Sequence, residues 1–428
     1  MIPGAVAEVA ARAQRELSGR VLAITLRSVR DLDIAEEATA DAFLLALQTW
    51  PERGVPASVE AWLVTAARRR AIDRIRSAQA ARRAVIRTAG GLRHADNAAD
   101  LGVDVGVVGD EDLRLVVLCC DPRITASDQV ALTLRLACGV PTAAIAAAHL
   151  MTETSMAARL TRAKKRLAAA GPALDLPDDA TVDARLPTVR RVVYLAFTLG
   201  HTAGSGTDLV DDDLADRAQY LALALSRLRP RDPEFRGLLA LILLTRGRSG
   251  GRLDDDGDQV VLAEVDRSRW DRATIDQGLA QLQAAVEASV DGAYGPMTLQ
   301  AAIAAEHAVV PTLEATDWRR VVDLYGALLR LEPSPTIAVG RCVAMAHLTG
   351  WAHGLADLDE VIALGGLERY PFAFGARAHM LSGLGRHAEA AAAWRSAADC
   401  ARTTASREFF TGQALISATR RKSHGPTE

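Results

Sequence analysis

Residues 132–167 read LTLRLACGVPTAAIAAAHLMTETSMAARLTRAKKRL. A helix ending at Cys138-Gly139 is followed by a short helix from Thr142, a turn near Leu150-Met151 and a third helix. Thr152 stands where a capping hydroxyl belongs, and Glu153 suits the positive end of the helix that follows. Met156, Leu160, Ala163 and Leu167 recur at helical spacing and form a core face. Ser155, Arg159, Arg162 and Arg166 share the opposite face, flanked by Lys164 and Lys165. This is the layout of a helix-turn-helix, whose second helix enters the major groove. There arginine pairs guanine bidentately, and outlying basic side chains hold phosphates. An amphipathic hairpin with a solvated basic face carries the same pattern, so this segment alone leaves both readings open.

The helical character extends outward. Hydrophobic residues make up 49% of the 428 and aromatics only 4%, with alanine and leucine dominant, which predicts an all-α fold. At roughly 100–200 residues per domain, the length predicts several units. No segment approaches the roughly 18–20 consecutive apolar residues of a membrane span. MIPGAVAEVAARAQREL at the start lacks the basic-then-apolar signal pattern, so we expect a cytoplasmic protein with no membrane contact. The five cysteines (Cys119, Cys120, Cys138, Cys342 and Cys400) are odd in number and lack CxxC spacing, against a disulfide framework or zinc site. Cys119 and Cys120 lie in an apolar run as reduced core residues.

Enzyme chemistry finds little support. The only lysines are Lys164, Lys165 and Lys422, none after a glycine-rich phosphate loop, and there is no HExxH. His347 and His353 are too far apart to ligate from one helical turn. The tract LDDDGDQ hints at a calcium loop at Asp254, but its sixth position is Gln259 and its twelfth Val265. We expect no catalytic residue, metal or cofactor.

Four segments follow from the pattern: a helical domain over 1–80, an acidic Gly/Asp-rich linker over 81–110, the helix-turn-helix domain over 111–172, and a helical extension over 186–428. Helices in the first break near Arg30-Asp31 and over Pro51–Ser58. Residues 1–171 carry 23 basic against 19 acidic residues, a net +4, and the remainder 27 against 34, a net −7. Only the front has an excess suited to a polyanion, and it is modest. In the extension, HLTGWAHGLADLDEVIA from His347 echoes MLSGLGRHAEAAAAWRSA from Met380 at an offset of 33. A period of about 33–34 is the tetratricopeptide signature; an irregular helical bundle is the competing reading.

In the front domain, DLDIAEEATADAFLLALQTWP places Ile34, Ala38, Ala42 and Leu45 on one stripe. Glu36, Glu37 and Asp41 face away, an acidic surface suited to a basic partner or simply solvated. The loop ERGVPASVE leads into AWLVTAARRRAIDRIRSAQAARR, rich in arginine.

The order of acidic-faced helix, loop, AWL…AR…AIDRIR, linker and a helix-turn-helix ending RLTRAKKRL resembles the extracytoplasmic-function (ECF) sigma factors over about residues 5–170. RLPTVRRVVYLAF, DRSRWDRATIDQGLAQLQAA and LQAAIAAEHA are similar to the subgroup with a tetratricopeptide-like extension. The resemblance implies that the front domain binds core RNA polymerase through Glu36, Glu37 and Asp41. It implies −10 promoter contacts at Arg53, Ser58, Trp62, Arg68, Arg69, Arg74 and Arg76, with flipped bases captured in the loop from Glu52 to Val59. It implies that the helix from Thr154 reads −35 promoter DNA with Ser155, Arg159, Arg162, Lys164, Lys165 and Arg166. Many relatives carry Asn where this chain has Arg69, so the family's base preference is not carried over. In the family the linker threads the polymerase channel, where Asp96, Asp100, Asp104, Asp110, Glu111 and Asp112 suggest RNA mimicry or a soluble tether. The extension is expected to meet a protein regulator, because such stacks present concave binding surfaces. The competing functions are a DNA-binding regulator with a repeat-type sensor acting without polymerase, and a pure interaction scaffold.

Overall fold

Among the described residues, alanine- and leucine-rich segments become eighteen α-helices, and there is no strand. The computed structural model describes residues 3–88, 110–149, 151–169, 178–201, 212–251, 260, 265–401 and 403–423. It divides into two compact units: residues 1–198 with 212–224, and residues 199–211 with 225–428.

The first unit begins with α1 (Pro3–Val29), α2 (Leu32–Arg53) and α3 (Val59–Thr88). Asp31 caps α2, its carboxylate accepting from the Ile34 N–H at 3.0 Å. These helices pack on one another through Val6, Ala10 and Val21 of α1, Phe43, Ala46 and Trp50 of α2, and Leu63 and Ala67 of α3. Two expectations need correcting. The helix continues through Pro51 to Arg53 and breaks at Gly54, whose φ of 81° suits glycine. Pro51 sits in the last turn, where its missing N–H frees only the carbonyl of the exposed Leu47. The buried stripe of α2 is Leu32, Ala35, Ala38, Thr39, Ala42, Phe43, Ala46 and Trp50, with Ile34 and Leu45 only half-buried at its edge.

Helix α3 runs through Thr88, into the stretch expected as linker. Asp96, Asp100 and Asp104 lie outside the described residues. Asp110 is no tether residue: its carboxylate accepts from the Leu113 N–H at 2.9 Å and caps α4 (Glu111–Cys119). The helical region after it is also not continuous. A turn over residues 121–124 separates α4 from α5 (Ala126–Leu136), which Thr125 caps. Then come α6 (Thr142–Ala148), α7 (Glu153–Ala169), α8 (Asp179–His201) and α9 (Asp212–Leu228). Cys119 and Cys120 are buried free thiols, and burial pushes Cys120 up to about 12.

The second unit stacks α10 (Pro233–Gly247), α11 (Arg272–Ala288), α12 (Pro296–Ala308), α13 (Trp318–Leu331), α14 (Pro335–Thr349), α15 (Trp351–Ala363), α16 (Pro371–Gly383), α17 (His387–Cys400) and α18 (Thr404–Ser423), each packed on the next. Proline opens α10, α12, α14 and α16, where its missing N–H costs no helical bond. Glu234 of α10 caps α12, accepting from the Met297 and Thr298 N–H groups at 3.1 and 3.0 Å. The echo from His347 falls on α14 and α15, and its counterpart from Met380 on α16 and α17. The tract from Asp254 to Gln259 lies outside the described residues.

A row of rings crosses consecutive helices. His307 meets Trp318 at 5.4 Å, Trp318 stacks on His347 at 4.0 Å, His347 meets Trp351 at 5.0 Å, and Trp351 meets His379 at 5.3 Å. The His307 Nδ1 is buried without a partner. Burial, aided by Arg248, Arg267 and His347, pushes this imidazole from 6.5 down to about 4. Below pH 6.5 the unfolded chain takes up a proton that the folded one refuses, so stability present at neutral pH is lost as pH falls toward 4. Urea unfolding of the full chain should therefore show a loss of about 2 kcal/mol between pH 7.5 and 5 that is absent in His307→Leu.

Candidate nucleic-acid interface

Helix α7 has the caps and faces its sequence predicts. The Ser155 N–H donates to the Thr152 hydroxyl at 3.2 Å, and Met156, Leu160, Ala163 and Leu167 are buried. The opposite face divides in two. Ser155, Arg162, Lys165 and Arg166 are exposed. Arg159 and Lys164 are half-buried and engaged within the chain. Arg159 bonds Asp128 of α5 at 2.6 Å, and its other arm reaches the Met151 sulfur at 3.7 Å. Burial works against the Asp128 charge, but hydrogen bonds from Arg159 and Thr125 outweigh it and hold the carboxyl below its usual range. Arg166 lies 3.8 Å from the same carboxylate. Lys164 reaches across to Glu36 of α2 at 2.7 Å.

The acidic face of α2 thus meets basic partners inside the chain. Arg74 of α3 forms ion pairs with Glu37 and, at 2.8 Å, with Asp41. Arg74 therefore sits on the acidic face, apart from the exposed Arg53, Ser58, Arg68, Arg69 and Arg76. Ser58 is positioned by capping α3, accepting from the Ala61 N–H at 3.4 Å. Trp62 is half-buried with its ring 5.4 Å from Trp50, edge to face. Leu44 and Leu47 of α2 stay exposed, at 57% and 46%, beside this charge.

The arginines that join these pieces carry no signal in the sequence, and Asp110, Glu111 and Asp112 read there only as linker acidity. Asp112 of α4 is almost wholly buried and takes Arg217 of α9 at 2.6 Å, with Arg20 of α1 at 3.8 Å. Arg217 also donates to the Ala137 carbonyl at 3.1 Å. Burial opposes its charge and Asp112 outweighs that, so its pKa stands above the usual guanidinium value. Asp121, fully buried after α4, takes Arg185 of α8 at 2.8 Å and Arg123 at 2.6 Å. Arg185 further donates to the Val117 carbonyl at 3.2 Å. The Arg123 hydrogen bond and the Arg185 charge hold the Asp121 carboxyl below its usual range. Tyr220 donates to Asp110, Arg15 pairs with Asp213, and Arg27 pairs with Glu111. At Gly19 of α1 a Cβ would lie 2.5 Å from the Ala137 carbonyl oxygen, so only glycine permits this approach.

Residues 14–81, covering most of α1 to α3, match the sigma-70 region 2 family, and residues 185–286 match a family of unknown function, DUF6596. ECF RNA polymerase sigma factor SigK of Mycobacterium tuberculosis is 35% identical over 97 residues, 22% of this chain and 51% of SigK. Its Mycobacterium ulcerans counterpart is 37% identical over 103 residues, 24% of this chain and 54% of that protein. An uncharacterized protein of Rhizobium meliloti, R00370, is 38% identical over 372 residues, 86% of each chain. The chain belongs to the ECF sigma factors of the sigma-70 family.

This sigma factor spans about half the length of its SigK relatives, so its likeness to the rhizobial protein is what reaches through the extension. The yeast Tom70 structure aligns with 91% of this chain and 81% of its own at 12% identity and a TM-score of 0.37, too slight a likeness to bear on the fold. The DUF6596 match begins at Arg185 and contains Arg217, the residues that meet the two buried aspartates. Among the described residues no helix is long and apolar enough to cross a membrane, and no cluster of side chains would hold a metal ion.

Arg217→Met leaves Asp112 buried with only the distant Arg20 for company. Thermal or urea unfolding should show a loss of about 3 kcal/mol, much of it regained when Asp112→Asn is added. Equal losses in the single and double variants would contradict this pairing.

Proposed function

We propose that this sigma factor engages core RNA polymerase through Glu36, Glu37 and Asp41 with the exposed leucines of α2. On this reading Arg53, Ser58, Trp62, Arg68, Arg69 and Arg76 meet the −10 promoter strand. Arg74 serves the acidic face until polymerase replaces it. Ser155, Arg162, Lys165 and Arg166 read −35 DNA, with Arg159 and Lys164 joining once released. The protein acts in the cytoplasm by binding, without bond-making of its own: base pockets and backbone contacts offset the cost of unstacking.

The observations that carry the regulatory part are the Lys164–Glu36 ion pair between α7 and α2 and the pairs by which Arg185 of α8 and Arg217 of α9 meet Asp121 and Asp112. One pair of opposite charges, Lys164 and Glu36, joins the basic helix to the acidic one in the free chain. Polymerase must part them, and the extension sets how readily they part through Arg185 and Arg217. A protein regulator bound to the helical repeats would act through the same junction.

Run-off transcription by purified core polymerase on the gene's own upstream region tests both parts. Glu37→Ala with Asp41→Ala should lower promoter-specific transcript at least fivefold and weaken core binding. Arg162→Ala with Lys165→Ala should leave core binding intact and lower promoter affinity at least tenfold, at about 1–3 kcal/mol for a lost base contact. Arg185→Met with Arg217→Met should change transcript at least threefold, the direction telling a clamp from a brace. Unchanged output from the last pair would remove the regulatory role; tight promoter binding without polymerase would instead support an operator-binding regulator.

A further inference from the structure

The second unit contains an open cavity of about 280 Å³ between α14, α15, α16, α17 and α18. Its walls are aromatic: Trp351 on one side, Phe372 at the rim, Trp394 and Phe410 behind. Trp394 and Phe410 stack at 5.9 Å, and Phe372 remains 43% exposed although apolar. Gly375 keeps the wall clear, since a Cβ there would lie 3.2 Å from the Trp394 ring. Besides the indole N–H groups, the polar side chains among its described lining residues are two imidazoles from the ring ladder, the half-buried His347 and the exposed His379. Both make ring contacts but no hydrogen bond among the described residues.

The chemistry of the walls narrows the occupant. Among the described residues no carboxylate, lysine or arginine lines the cavity, so an anion finds no partner there and a cation meets only ring faces. Burial, aided by the neighbouring His379, holds His347 below its ordinary value and hence neutral at neutral pH. A neutral imidazole offers one donor and one acceptor. The volume lies near the lower end of the roughly 300–1,000 Å³ of small-molecule sites, enough for one or two fused rings and too little for a dinucleotide. Offset or edge-on ring packing favours planar aromatic guests over saturated ones.

We propose that this cavity is a binding site for a small, neutral, planar heteroaromatic molecule, whose rings pack on the aromatic walls and whose ring nitrogen hydrogen-bonds His347 or His379. The extension is then a receptor for a small molecule as well as a protein surface. The same chemistry is presented by a tryptophan side chain on a partner peptide, and the test separates the two sources.

Full-length protein is titrated with indole, with indene as its nitrogen-free analogue, with cyclohexanol, with benzoate and with the peptide Ala-Ala-Trp-Ala-Ala, by calorimetry and saturation-transfer NMR. Indole should bind with a Kd of roughly 10–500 µM, at least fivefold tighter than indene, with no measurable benzoate or cyclohexanol binding. Ala376→Leu, which fills the cavity, should weaken indole at least tenfold in protein whose circular dichroism and melting are unchanged. Gly375→Ala takes its place if that variant does not fold. Replacing both His347 and His379 by Leu should erase the preference for indole over indene. The proposal fails if folded protein binds no aromatic probe at about 1 mM, if the filled cavity binds as well as the open one, or if indene equals indole. A peptide bound at least tenfold tighter than indole would also overturn it, by assigning the site to a partner's tryptophan.

Discussion

Two carboxylates buried at the ends of one short helix govern the first unit of this protein. Asp112 opens α4 and Asp121 follows it, and neither reaches water. An unpaired charge in such a place costs several kcal/mol, about 3–5 when one partner of a buried pair is removed. Each therefore demands cations: Arg123 and Arg20 supply part, and Arg185 of α8 and Arg217 of α9 supply the rest. This demand fixes α8 and α9 against the helix-turn-helix region, and carbonyl contacts from the same guanidiniums to Val117 and Ala137 fix their register. Such pairs add little net stability over apolar packing, but they penalise every alternative arrangement.

That constraint bears on the electrostatics of α7. A helix carrying Arg159, Arg162, Lys164, Lys165 and Arg166 on one side would attract any polyanion if left open. Here Asp128 occupies Arg159, and Glu36 occupies Lys164. The acidic stripe of α2 is answered in turn by Arg74. The Lys164 and Arg74 pairs are half-exposed and individually weak, of order 0–1 kcal/mol, and so are suited to exchange, whereas Asp128 is buried and holds Arg159 more firmly. The buried pairs behind them are suited to hold.

Much of the fold was legible. Alanine and leucine content gave the helical class, and the spacing of Met156, Leu160, Ala163 and Leu167 gave the buried face of α7. Thr152 marked its start, and the ordering of motif blocks gave the family. What escaped is non-local. Arg217 and Asp112 are 105 positions apart, and Lys164 and Glu36 are 128 apart. No periodicity connects such residues, and Arg185 and Arg217 read as ordinary charges on amphipathic helices. Asp110, Glu111 and Asp112 read as linker acidity because local composition cannot tell a solvated aspartate from a cap or a buried partner. Pro51 misled because its position relative to the helix end decides its cost, and that end was set by Gly54. The ring ladder lay half-hidden in the repeat: the sequence aligned the helices, while the meeting of His347 with Trp318 and Trp351 needed their packing.

On the proposal made above, α2 and α7, joined in the free chain through Glu36 and Lys164, part on polymerase. Spin labels at Gln48 of α2 and Ala157 of α7, both exposed, report the separation of the two helices by pulsed electron resonance. The free protein should show one narrow short-distance population, shifting to a longer one with core polymerase and promoter DNA. The free population should broaden in Arg185→Met with Arg217→Met. A distance that is the same in the free and polymerase-bound protein would contradict the proposal.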